Sequence, residues 1–269
     1  MSPRRWPSWH PGRPPMSMAC SCPSMAASRS ACSASCRAAA TRAEAMRALV
    51  LSGGIAHPFA ETSAAMAGIL ADAGLGAEIA PAGPGLDRLD ENWDLVVINA
   101  LAFTMTQSEK YAPLRAAHAF SISPDRRAAL RDHLAGGGGL LGLHAAAICF
   151  DDWPEWGDIL GARWIWGRSG HPSPDYLEVT PLSGHGLTEG LRRFRVWDEL
   201  YCDLALAGDA RVLATARCRE QTRPQPVLTA REGPGRVVWS GLGHDMTSFA
   251  TPAHRMLLTR AIHWVLRLI

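Results

Sequence analysis

The side chains best equipped for chemistry in this chain are histidines that end or follow apolar runs. His144 closes Leu140-Leu-Gly-Leu143, and His57 follows Leu49-Val-Leu-Ser-Gly-Gly54. His244 lies in Gly241-Leu-Gly-His-Asp245, directly after Arg236-Val-Val-Trp-Ser240. His171 sits in Ser169-Gly-His-Pro172, and Glu199 in Trp197-Asp-Glu-Leu-Tyr201. Two chemistries suit these residue types. His144, His171, Glu199 and His244 are the right donors for a divalent ion such as zinc. Alternatively, His144 and His244 could carry protons near neutral pH, with Glu199 or Asp245 orienting one of them. The candidates come from separate segments, so spacing does not choose between the two. His57, Asn99, Trp153 and Asp245 are expected to meet the substrate. Trp153, Trp156, Trp164 and Trp166 lie close together in sequence, and indole faces stack well on sugar rings. His118, His133, His254 and His263 fall in helical stretches and read as structural or exposed. His185 reads as loop.

The elements that must position these groups form an α/β pattern. Arg47–Ser52 is a buried strand that runs into Gly53-Gly54, and Thr62–Ala73 is a helix that stops at Gly74. Ala77–Ala80 and Asp94–Asn99 are strands, the latter apolar enough to be buried on both faces. Ser123-Pro124 opens a helix that runs to the Gly136–Gly139 run, and Leu140–His144 is a fourth strand. Strands alternating with helices imply a mostly parallel, doubly wound sheet. The second half adds short β-rich stretches at 176–180, 194–197, 211–215, 226–229 and 236–240. A helix over 252–266 closes the chain, with Leu257, Leu258, Ile262 and Val265 on one stripe. In such sheets ligands bind beyond the carboxyl ends of the strands. Ser52, His57, Asn99, His144, Ser240 and His244 all belong there.

Composition narrows the function classes. Hydrophobic residues make up 47% of the 269 residues and charged residues 19%, enough apolar material for a sizeable core. The first 45 residues carry six arginines against one glutamate, a net +5, and leave −3 for the rest. A mildly acidic domain has no footprint for nucleic acid, so a small molecule is the expected partner. No apolar run approaches the roughly 18 residues of a membrane span. Residues 1–45 show neither strand alternation nor a helical stripe. They read as a disordered leader or an upstream extension of the true start, with Met46 opening a single domain over 46–269. Cys20, Cys22, Cys32 and Cys36 lie in that leader without a zinc-binding context. Cys149, Cys202 and Cys218 are scattered, which points to a reducing cytoplasm. Nothing in the sequence sets the oligomeric state.

The segment Gly136–Ala146 has the layout of a nucleophile elbow, a strand followed by a sharp turn that presents one side chain. Class I glutamine amidotransferases put a cysteine there; here the residue is His144. A histidine offers no thiolate for the thioester step, so this reading disfavours glutaminase chemistry. Cys149, five residues on, reads as a buried apolar residue. The whole set of stretches resembles the ThuA-like, or trehalose utilisation, family. These are Leu49–Phe59, Asp94–Val97, Gly136–His144, Asp152–Trp156, Trp197–Tyr201 and Gly235–Asp245. The resemblance implies the amidotransferase-like, flavodoxin-like fold with its extra strands. It also implies a sugar substrate, a disaccharide such as trehalose or its 3-keto derivative. On a keto sugar, a histidine base would remove the proton beside the carbonyl, and a metal or acid would assist loss of the glycosidic oxygen. The other reading is a non-catalytic sugar-binding or complex-forming subunit on an enzyme-like fold.

Overall fold

The computed structural model describes residues 46–269. Residues 1–45, with Cys20, Cys22, Cys32 and Cys36, lie outside the described residues. Five strands form the parallel part of one sheet: β1 (Arg47–Gly53), β2 (Gly76–Pro81), β3 (Leu95–Ala100), β4 (Gly139–Leu143) and β11 (Val237–Ser240). The added strands β6 (Asp175–Pro181), β7 (Phe194–Asp198), β9 (Arg211–Arg217) and β10 (Gln225–Arg231) continue it in antiparallel fashion. The order across all nine is β2-β1-β3-β4-β11-β10-β9-β6-β7. Its first four strands follow the flavodoxin order, with the switch point between β1 and β3. The late hairpin expected at Gly233-Pro-Gly235 joins β10 to β11.

Strand alternation sorts the core into two layers. Ala48, Val50, Leu95, Val97, Leu141 and Leu143 face one side and pack with α1 (Phe59–Asp72) and α7 (Pro252–Val265). Met66, Ile69 and Leu70 of α1, and Leu257, Leu258, Ile262 and Val265 of α7, supply that layer. Leu49, Leu51, Val96, Ile98 and Leu140 face the other side. There they meet Leu86 of α2 (Ala82–Leu86), Leu130 of α4 (Pro124–Ala135), and Trp156 and Leu160 of α5 (Trp156–Leu160). The short helix α3 (Ala112–His118) lies on the surface and buries none of its residues. All six residues of β3 are buried, as expected for a strand covered on both faces.

Two departures from the sequence expectations bear on the site. The segment after β4 is a 3₁₀ turn, His144–Ala147, rather than a helix start. A small separate ribbon, β5 (Ala162–Arg163) with β8 (Ala205–Leu206), was not foreseen. With the Gly170–Cys202 bridge it ties the tryptophan-rich segment to the chain that follows β7. Two-residue strands carry no alternation for a sequence pattern to reveal.

Candidate metal centre

Four loops bring three histidines and a glutamate together. The β1 loop leaves the sheet through Gly53 (φ 119°) and Gly54 (φ 130°). A Cβ on Gly54 would lie 2.6 Å from the Leu101 carbonyl oxygen, so only glycine lets this loop cross the end of β3. His57 follows. His144 begins the turn after β4 with φ 36°, a left-handed conformation that β-carbon sterics disfavour. The expected elbow is thus present, with an imidazole on it. Its carbonyl accepts from Trp239 Nε1 at 3.2 Å, which ties the turn to β11. His244 comes from the loop after β11. Glu199 follows β7, the far edge of the sheet, yet its carboxylate reaches the same place.

Ligand atoms of His57, His144, Glu199 and His244 all lie within 4.8 Å of one another. The hydrogen bonds fix which nitrogens point inward. His144 Nδ1 donates to the Gly241 carbonyl at 2.8 Å, since a carbonyl can only accept. With Nδ1 so used, Nε2 faces Glu199 Oε2 at 3.3 Å, as a lone pair when the ring is neutral and as a donor when it is protonated. His57 repeats the pattern. Its Nδ1 donates to Ile55 O at 3.3 Å, and its buried Nε2 has no partner among the described residues. His244 Nδ1 is likewise buried without a hydrogen bond, 3.8 Å from Glu199 Oε2. Burial, then the neighbouring His144 and His244, pushes the His57 pKa down to about 4, so its ring is neutral at pH 7. Burial would raise the Glu199 carboxyl, but hydrogen bonds from His144 and His171 override it and hold the group below the usual carboxylate range.

This donor set fits a metal ion. Histidines that bind metal through one ring nitrogen usually give the other N–H to a carbonyl or carboxylate. Donors about 2.0–2.1 Å from a tetrahedral ion stand roughly 3.4 Å apart, so the widest of these spacings, 4.8 Å, would need to close by about 1.4 Å.

The expected site residues divide. His144, Glu199 and His244 meet in the cluster. His57, expected at the substrate, joins them as a fourth donor. His171, expected as a ligand, stands outside. Its Nδ1 lies 2.8 Å from Glu199 Oε1, on the far side of the carboxylate, and its side chain is 45% exposed. Glu199 raises its pKa through that hydrogen bond. Asn99 is buried at the β1/β3 switch point, where Nδ2 donates to Thr62 Oγ1 and Ser63 Oγ, both at 2.9 Å. It anchors α1 beneath the His57 loop. The Asp245 side chain caps α6 (Met246–Ala250) through the N–H groups of Thr247 and Ser248. Trp153 lies in the core, 2% exposed, stacked near Trp156 with the Arg131 guanidinium over it. Of the four tryptophans, Trp164 and Trp166 are on the site side. The Trp164 ring is 5.1 Å from Tyr201, which lies 4.1 Å from His144 ring to ring. Cys149 is buried, its Sγ donates to Ala100 O, and burial pushes its thiol up to about 12. It does not stand at the elbow.

Asp198 is the residue the sequence reading passed over. Fully buried, it accepts from Gly243 N and His244 N, on the loop that carries a donor. The adjacent pair Asp198-Glu199 at a strand end was the available signal.

A family model described as ThuA, trehalose utilisation, matches residues 47–265. The chain belongs to this family. Among solved structures, a putative ThuA-like protein from Parabacteroides merdae aligns with a TM-score of 0.65 at 19% identity, over 82% of this chain and 90% of that one. A second, from Bacteroides uniformis, gives 0.58 at 17%, over 82% and 91%. A glutamine amidotransferase from Thermotoga maritima gives 0.52 at 14%, over 82% and 98%. At these identities the likeness is one of fold. No curated protein matches the sequence. Among the described residues of this ThuA-family chain, no helix is long and apolar enough to cross a membrane.

Proposed function

We propose that this ThuA-family protein is a carbohydrate-processing enzyme that uses a divalent ion on a disaccharide such as trehalose or its 3-keto derivative. One observation carries the metal: His57 and His144 each give Nδ1–H to a backbone carbonyl, which turns their Nε2 atoms toward the place where the Glu199 carboxylate and His244 Nδ1 also meet. The sugar class is supported by the family's description and by Trp164 standing beside Tyr201 at the donors. A bound divalent ion with a coordination position left for substrate beyond these four donors would polarise a substrate carbonyl and acidify the neighbouring C–H. Tyr201 lies against the His144 ring and keeps water from that side. With four donors turned inward, proton transfer falls to a group at the mouth, where His171 stands against the outer oxygen of Glu199. A cytoplasmic setting goes with this reading, since Cys149, Cys202 and Cys218 are free thiols.

The test pairs metal analysis of the full-length protein with turnover. Purified protein is expected to hold one divalent ion per chain and to release free sugar from 3-ketotrehalose, and chelation should stop that release. Sugar binding without conversion, with metal restored, would favour a non-catalytic subunit. Unimpaired turnover by His144→Ala would defeat the metal reading.

A further inference from the structure

Glu199 and His244 arrive at the cluster from the edge and the middle of the sheet order. β7 is its outermost strand, and β11 lies beside β4 near the middle. Nothing in the strand pairing joins them. Asp198 does. Its Oδ2 accepts from Gly243 N at 2.8 Å and from the Ser248 hydroxyl. Its Oδ1 accepts from His244 N at 3.1 Å and from Glu199 N at 2.8 Å. The carboxylate is 0% exposed, and each oxygen takes two donors, which fills its accepting positions. Ser248 is held in turn. Its oxygen lies 2.9 Å from His254 Nδ1, which also donates to Ser248 O at 3.1 Å. The side-chain hydrogen bonds from His254 through the Ser248 hydroxyl run toward Asp198.

We infer that Asp198 is a positioning residue that fixes Glu199 and His244 as one unit of the donor cluster. This rests on the metal reading above. Asp198 precedes one donor and binds the amide of the other, so a shift of its carboxylate moves both. The backbone N–H groups it accepts cannot turn away, so an amide at this position sets N–H against N–H.

The experiment uses the full-length protein, its Asp198→Asn variant and its Ser248→Ala variant, which removes one of the four donors. Cobalt(II) alone is titrated in well below each melting temperature and followed by its visible absorption. Wild type is expected to give a ligand-field band. Asp198→Asn should bind roughly 10–100-fold more weakly, the usual cost of losing an outer-shell partner, with an altered band. Ser248→Ala should fall between, and it serves alone if Asp198→Asn does not fold. Unchanged affinity and band in the variants would overturn the inference. Amide hydrogen exchange on metal-free protein supplies the second readout. Gly243 and His244 should exchange faster in the variants, with α7 unaffected. If wild type takes up no cobalt, the metal reading has failed and exchange decides. Faster exchange at those two amides keeps Asp198 as the anchor of the loop, and unchanged rates remove it.

Discussion

At the scale of single residues, His144 combines two opposed demands. Its side chain lies against Glu199, while its backbone is held at φ 36°. A left-handed backbone costs an ordinary residue about 1–2 kcal/mol, and glycine escapes that cost. His144→Ala and His144→Gly should therefore lose the metal equally, by more than the roughly 100-fold of an outer-shell loss. The glycine variant should nonetheless be more stable than the alanine variant by about 1 kcal/mol in urea unfolding. Equal stabilities would mean the turn is relaxed. The histidine at the elbow was legible because a glycine run, an apolar strand and small residues frame it. The inward role of His57 was not, because it depends on which carbonyl meets Nδ1, and sequence does not carry that. Trp153 misled for a related reason. Its neighbours in sequence are surface turns, but Arg131 and Trp156 enclose it.

At the scale of elements, the loops matter more than the strands they leave. The β1 loop must pass within contact of Leu101, and Gly54 is where it does so. Gly54→Ala adds a Cβ at φ 130° against backbone, with no flexible side chain to yield. Destabilisation of about 2 kcal/mol or more is expected, together with weaker metal uptake, because His57 moves with the loop. Circular dichroism melts alongside a metal titration would check both, and a neutral substitution would show that the loop has slack. The parallel strands were readable as continuous apolar runs, and α7 as a stripe of Leu257, Leu258, Ile262 and Val265. The β5–β8 ribbon was not, although it brings His171 beside Glu199 through the Gly170–Cys202 bridge.

At the scale of the whole molecule, a shared ion would tie together loops that follow β1, β4, β7 and β11. An ion that binds only the folded state at 100 times its dissociation constant adds about 2.7 kcal/mol. At about 2–4 °C per kcal/mol for a domain of this size, chelation should lower the melting temperature by roughly 5–11 °C. His57→Ala and His244→Ala should melt alike with and without metal. A chelator-insensitive wild type would count against the ion. The sheet order itself was only half legible. Pattern gave strands and their burial. It could not show that the chain after β7 returns from the sheet edge to meet β11, because that depends on the buried Asp198 and its four donors.

The place of β11 in the sheet has a consequence for biosynthesis. This strand is the last of the sheet in chain order, yet it lies between β4 and β10 and joins the two halves of the sheet. Until residues 237–240 emerge, β4 has an unpaired edge and the antiparallel strands have no parallel partner to dock on. The nascent chain therefore carries the open edge of β4 (Gly139–Leu143) until β11 (Val237–Ser240) emerges, and that of β10 (Gln225–Arg231) only just before it, a state that invites intermolecular pairing. The candidate donors are brought together in the same closing step, since His244 follows β11 by four residues. Completion of the sheet and completion of the site are one event.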